Sequence, residues 1–143
     1  MEAPQSGLIV TCSPNPCDQH THPTVQRPPY RYMWYYRTEV RNTLHLPLRV
    51  VWFEAFHREG RKWVPGNITG RTLTGQDFSE WYQDGDKIVD GVIPPGGVAV
   101  DARNWHGSAV PTSEPIKWAY RAVDSSGKEH YAEVVIESVP VRE

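Results

Sequence analysis

The sequence predicts an all-β chain, an immunoglobulin-like two-sheet sandwich of seven to eight strands with one short helical turn. Three observations predict it. The 11 glycines and 13 prolines supply turn residues along all 143 positions. The 6 tryptophans and 7 tyrosines favour strands over a helical bundle. Several stretches alternate apolar and polar residues with a period of two, and only one short stretch has a helical pattern.

The elements follow in order. Gly7 to Cys12 reads as a first strand. Ser13 to Pro29 holds Pro14, Pro16, Pro23, Pro28 and Pro29 and reads as an extended connector. Residues 1–29 are thus an N-terminal strand plus Pro-rich connector, and 30–143 the sandwich body of one domain. Tyr30 to Arg41 alternates, with Tyr32, Trp34, Tyr36, Thr38 and Val40 on the inward face. Leu48 to His57 is apolar on both faces near Val50 to Phe53, as a central strand is. Gly60 supplies a left-handed residue for a hairpin turn, and Arg61 to Val64 returns.

Thr74 to Tyr82 is the helical candidate. Thr74 can cap it, Asp77 stands three residues on, and Phe78, Trp81 and Tyr82 share a face. Lys87 to Ile93, Val98 to Trp105, Ile116 to Val123 and His130 to Val139 complete the strands. Pro95-Gly96 suits the centre of a type II turn, and Asp124 to Gly127 closes the last hairpin.

Three stretches carry a resemblance. They are Arg31-Tyr32-x-Trp34-x-Tyr36 running to Asn42 and Pro47-Leu48-x-Val50, then Ile93-Pro94-Pro95-Gly96-Gly97, then Tyr120-x-x-Val123-Asp124-x-x-Gly127. Their order resembles fibronectin type III-like modules of bacterial proteins and, more loosely, the ApaG-like domain, over residues 30–139. Gly66 to Gly75 is only a loose counterpart of the glycine-rich loop of ApaG-like domains. The resemblance implies a fold and a binding or structural role, not an activity.

Composition narrows the function classes. A net charge of −2 excludes a globally basic nucleic-acid binder. Arg27 to Lys62 nevertheless has eight basic residues against three acidic ones, and Asp77 to Asp101 has six acidic against one basic. Such a bipolar chain favours assembly with a protein partner or with itself, unless the two segments neutralise each other. No apolar run approaches the about 20 residues of a membrane span. The start has no basic and apolar regions of a signal peptide, and the compartment stays open. No nucleotide, phosphate or metalloprotease motif is present, and no cofactor is expected.

Candidate sites are therefore few. Cys12, Cys17, His20 and His22 could ligate a metal, but their spacing fits no standard zinc finger. Free thiols are the favoured account of the cysteines, a small-loop disulfide the second and a metal site the third, so no metal is expected. Trp81, Tyr82 and Trp105 are harder to bury together than Trp34, Tyr36, Trp118 and Tyr120, and are read as a binding face. That face would take a protein, with carbohydrate as the second class. The bland alternative is that the helical aromatics plug one end of the sandwich. Asp101 and His106 are the acid and base of the rival reading, a small cofactor-free enzyme acting on an apolar molecule. A solvated strand with an ordinary ion pair is the plain account of the same residues. A deep pocket converging on a perturbed carboxylate or histidine, as against a flat aromatic patch, separates these readings.

Overall fold

The computed structural model describes residues 6–19, 32–66, 70–110 and 112–140. In chain order the elements are β1 (Leu8–Ser13), β2 (Cys17–Asp18), β3 (Tyr32–Asn42), β4 (Leu48–Glu59), β5 (Lys62–Pro65), β6 (Leu73–Thr74), α1 (Gly75–Trp81), β7 (Val92–Ile93), β8 (Val98–Ser108), β9 (Ile116–Asp124), β10 (Glu129–Ile136) and β11 (Ser138–Val139). The chain is an all-β sandwich with one short helix. One sheet has the order β1-β3-β8 and the other β10-β9-β4-β5, with β6 and β7 also paired to β4. A two-stranded parallel pair, β2 with β11, lies beside them.

Alternation in the sequence becomes the core. Trp34, Tyr36, Thr38 and Val40 of β3 are all buried, facing Phe53 and Ala55 of β4 and Trp118, Tyr120 and Ala122 of β9. Phe53 and Tyr120 stack with ring centroids 5.7 Å apart. Aromatic rings bury large apolar areas, and such stacking adds specificity to that burial.

Turn chemistry behaves as its residues require. Gly60 and Gly96 take φ of 65° and 68°, and the Gly97 N–H closes the Pro94 turn at 2.8 Å. Thr74 caps α1 with a full capping box, its side chain accepting from the Asp77 N–H while the Asp77 carboxylate accepts from the Thr74 N–H. Arg71 grips the same carboxylate bidentately at 2.7 and 2.8 Å.

The structure corrects four expectations. Residues 87–93 are not one strand. Asp90 and Gly91 take φ of 54° and 75°, and the Val92 N–H bonds the Val89 carbonyl, so an Asp-Gly turn splits the segment. The connector is not wholly irregular, because Cys17 and Asp18 pair with Ser138 and Val139. That pairing also takes residues 138–139 away from the strand expected over 130–139. Tyr82 is not at a surface. It is fully buried, stacked 4.3 Å from Phe78 and hydrogen-bonded to the Tyr120 hydroxyl. A two-turn helix does bury two large rings, because Phe53 and Tyr120 offer an aromatic bed beneath it.

The two long edges of the sandwich differ. On one side the sheets are stitched together. The Gly7 N–H donates to His130 Nδ1, which leaves Nε2 carrying the proton that His130 donates to Asp124 Oδ2, both at 2.9 Å. Trp34 Nε1 donates to the Val139 carbonyl of β11. On the other side β8 and β5 are the edge strands of separate sheets and do not pair. Residues 84–86 cover the first half of β8, with the Asp84 and Asp86 N–H groups donating to the Val100 and Val98 carbonyls at 3.0 and 2.9 Å. Beyond that cover the sandwich gapes around Arg103 to Gly107.

Candidate functional site: a cleft between the sheets

The gap is a cleft of about 680 Å³, within the usual size of small-ligand pockets. One wall is the inward face of β8, with Asp101, Asn104 and His106. The opposite wall comes from β4, β6, α1 and β9, with Ala55, Leu73, Trp81, Ile116 and Trp118. Trp81 and Trp118 both lean on Phe53, one edge-on at 5.5 Å and one stacked at 6.2 Å between ring centroids, and both line the cleft.

A bulge assembles the first wall. Tyr36 pairs with Asn104 but Thr38 with Asp101, so two steps on β3 oppose three on β8. The extra residue reverses the alternation. Asp101, Asn104 and His106 therefore all lie opposite the inward residues Thr38, Tyr36 and Trp34. Strict alternation over Val98 to Trp105 would put Asp101 on one face with Arg103 and Trp105 and end the strand before His106. Instead His106 lies within β8, and Trp105 opposes Tyr35 and borders the cleft from its edge. The short polar side chains make the bulge self-consistent. Asp101 Oδ1 accepts the Arg103 N–H at 3.1 Å, and Asn104 Oδ1 the Trp105 N–H at 2.9 Å.

His106 is buried, and both of its ring nitrogens are occupied. The Trp118 indole N–H can only donate, and it donates to the Tyr36 hydroxyl at 2.7 Å. The Tyr36 proton then goes to His106 Nδ1, at 3.2 Å, or is left unbonded in the core. So Nε2 carries the ring proton and donates to Ser138 Oγ at 2.8 Å. The ring also stacks on Trp34 at 5.1 Å. Burial lowers its pKa to about 3. This histidine stays neutral near pH 7 and presents no free lone pair to the cleft, so it supplies no general base beside Asp101.

Asp101 is different. It is half-buried, and burial raises its pKa, opposed in part by the Arg103 N–H. Its carboxylate belongs to none of the ion pairs among the described residues. Of the other charged or titratable groups at the cleft, His57 pairs with Glu59 and Arg103 is exposed.

Of the residues expected to bind, the cleft thus brings Trp81 and Trp105 together with Asp101 and His106 and leaves Tyr82 in the core. Among the described residues no tryptophan is exposed, so no flat tryptophan platform forms. On the outer face of the larger sheet, Arg121 covers Trp52 at 5.5 Å, and Lys117 covers Phe56 and Trp63 at 4.9 and 5.1 Å.

His20 and His22 lie outside the described residues. The cysteines are free thiols with separate partners. Cys17 donates to the Tyr35 carbonyl at 3.2 Å and Cys12 meets the Thr38 hydroxyl at 3.4 Å. Burial pushes both thiols up to about 11. No helix among the described residues is long and apolar enough to cross a membrane.

The same arrangement of strands occurs in solved structures. The fold is shared with a putative ApaA protein. That crystal structure, from Bordetella pertussis, matches with a TM-score of 0.52 and 16% identity, over 93% of this chain and 94% of that one. A second X-ray structure, a structural genomics target, matches with a TM-score of 0.53 and 12% identity, over 96% of this chain and 93% of that one. At these identities the likeness is one of fold. It accords with the ApaG-like side of the sequence resemblance. No protein-family model and no curated protein matches the sequence.

Proposed function

We propose that this chain is a non-catalytic binding module, of the fibronectin type III-like and loosely ApaG-like kind, and that it binds through the cleft between its sheets. The observation that carries the reading is the convergence of Trp81, Trp118 and Asp101 on one cavity from three elements distant in sequence. A pocket with apolar side chains on one wall and a few placed polar groups on the other is the usual form of a site that buries a small organic body. That body is a free ligand or a side chain inserted by a protein partner. The occupied nitrogens of His106 favour binding over acid–base catalysis.

The experiment is a fragment titration followed by amide and indole NMR. Ligands that bind are expected to move the indole signals of Trp81 and Trp118 and the amides of residues 104–107. Trp81→Ala is expected to abolish those shifts while the melting temperature falls by only a few degrees. Shifts confined to Trp52, Trp63 and Tyr131 would move the site to the outer face and overturn the reading.

A further inference from the structure

The chemistry of the occupant follows from which polar groups in the cleft are still available. A sugar needs several donors and acceptors aimed at its hydroxyls. Here most are engaged within the wall. Asn104 gives its amide to the Thr38 hydroxyl and its carbonyl to the Trp105 N–H. His106 has both nitrogens engaged, and His57 pairs with Glu59. Asp101 alone keeps an oxygen, Oδ2, with no hydrogen bond or ion pair among the described residues.

That carboxylate is partly withdrawn from water, and its surroundings add negative rather than positive charge, since Asp84 lies close enough to disfavour its ionisation further. Arg103, two residues along, lies beyond ion-pair distance of it, because the bulge separates their directions. The histidine on the same wall is neutral and offers no counter-charge. The opposite wall carries two indoles, Trp81 and Trp118. Aromatic faces attract cations, and a desolvated carboxylate attracts them more strongly still. An anion would meet Asp101 with repulsion, and a neutral apolar body would leave its charge uncompensated.

We infer that the cleft binds an organic ammonium group, with Asp101 as its counter-charge and the Trp81 and Trp118 indoles against its hydrocarbon body. This rests on the cleft being the ligand site. The shared chemistry has two sources, a free amine or the lysine side chain of a protein partner.

Three probes of one shape test it: phenethylammonium, 2-phenylethanol and 3-phenylpropionate, each titrated while the Trp81 and Trp118 indole signals are followed. The ammonium is expected to bind about tenfold more tightly than the alcohol, and the carboxylate most weakly. Asp101→Asn keeps an acceptor for the Arg103 N–H. It is expected to abolish the ammonium's advantage, leave the alcohol's affinity unchanged and leave the melting temperature within a degree or two. Equal binding of ammonium and alcohol by the unaltered protein overturns the inference and leaves the cleft as a site for neutral apolar groups. No movement of either indole with any probe overturns the cleft reading and the inference together. A preference for ammonium that survives Asp101→Asn also overturns it, since the counter-charge would then lie elsewhere. Where the preference holds, a blocked Gly-Lys-Gly peptide set against its norleucine counterpart separates the sources. A lysine preference assigns a partner's side chain, and its absence assigns a free amine.

Discussion

Side chains here act through what they leave satisfied or unsatisfied in a small core. Trp118 is buried and also holds the Tyr36 hydroxyl in place. Trp118→Ala is expected to cost about 3–5 kcal/mol in urea unfolding, the usual range for a truncated core aromatic. Its neighbour on the other face, Arg121, covers Trp52 from solvent, and Arg121→Ala is expected to cost less than about 1 kcal/mol. Equal small losses would mean that the inward face of β9 is misassigned. Asn42 is a second test. Its buried amide donates to the carbonyls of Leu46, Ile93 and Pro94, and its own carbonyl accepts the Leu44 N–H. Asn42→Ala orphans these groups together, with an expected loss of about 2 kcal/mol or more. Asn42→Asp, which keeps the shape but not the donors, is expected to be no better.

At the level of elements, ends and turns matter more than lengths. Helix α1 has only 7 residues, too few to be stable alone. Its capping box, the Arg71 clamp and its two buried rings hold it. Thr74→Ala removes one half of the box and is expected to cost about 1 kcal/mol. Loss of the helix altogether in that variant, seen as the disappearance of Phe78 contacts in NMR, would mean that packing contributes less than argued. The Asp90-Gly91 turn is less tolerant. Gly91 sits at φ 75° with the Val50 carbonyl and Gly75 pressed against the place of a side chain. Gly91→Ala is therefore expected to destabilise by strain and by clash at once, whereas Gly127→Ala, at φ 88° but in open space, suffers strain alone. Removing metal is expected to change nothing in β1 and β2. Cys12 and Cys17 are tied to separate groups, so dialysis against a chelator should leave the melting curve where it was. A lower midpoint with stoichiometric zinc in the untreated protein would refute this.

Across the whole molecule, acid stability follows from the buried histidine between the sheets. His106 is held neutral in the fold, with its pKa lowered to about 3, while an unfolded chain protonates histidine near its ordinary value of 6.5. Between those values the unfolded state binds the extra proton. Stability is therefore fully present above about pH 6.5 and falls as pH drops toward 3, by about 1.4 kcal/mol per pH unit for one such group. The window from pH 6.5 to 4.5 is the useful one, because the carboxylates of Asp77 and Asp124, both held well below the usual range, give way only in stronger acid. Burial raises Asp101 and Glu54, which act in the opposite sense. The comparison with His106→Gln isolates the histidine. The variant is expected to be less stable at pH 7 but to lose this acid slope, and an unchanged slope would assign it to another group.

Much of the fold was legible in the sequence because strands and turns obey local rules. The alternation of Tyr32 to Val40, the Thr74 and Asp77 pair, Pro95-Gly96 and the final hairpin each declare their geometry within a few residues. The Asp90-Gly91 turn is masked in the sequence, because the apolar residues on either side, Ile88-Val89 and Val92-Ile93, read as one strand. The candidate site was legible only as separate residues. Trp81, Trp105, Asp101 and His106 each stand out in the sequence, whereas the alternation of β9 marks Trp118 only as a core residue. Nothing local places an extra residue in β8, and one extra residue decides whether Asp101 and His106 share a face. Nor does local pattern reveal that one edge of the sandwich is tied by Gly7, His130 and Asp124 while the other, covered by residues 84–86 over the first half of β8, opens beyond it. Periodicity fixes which way a side chain points relative to its neighbours. Register across strands, and the gap between two sheets, depend on contacts between residues far apart in the chain, and only the tertiary structure decides those.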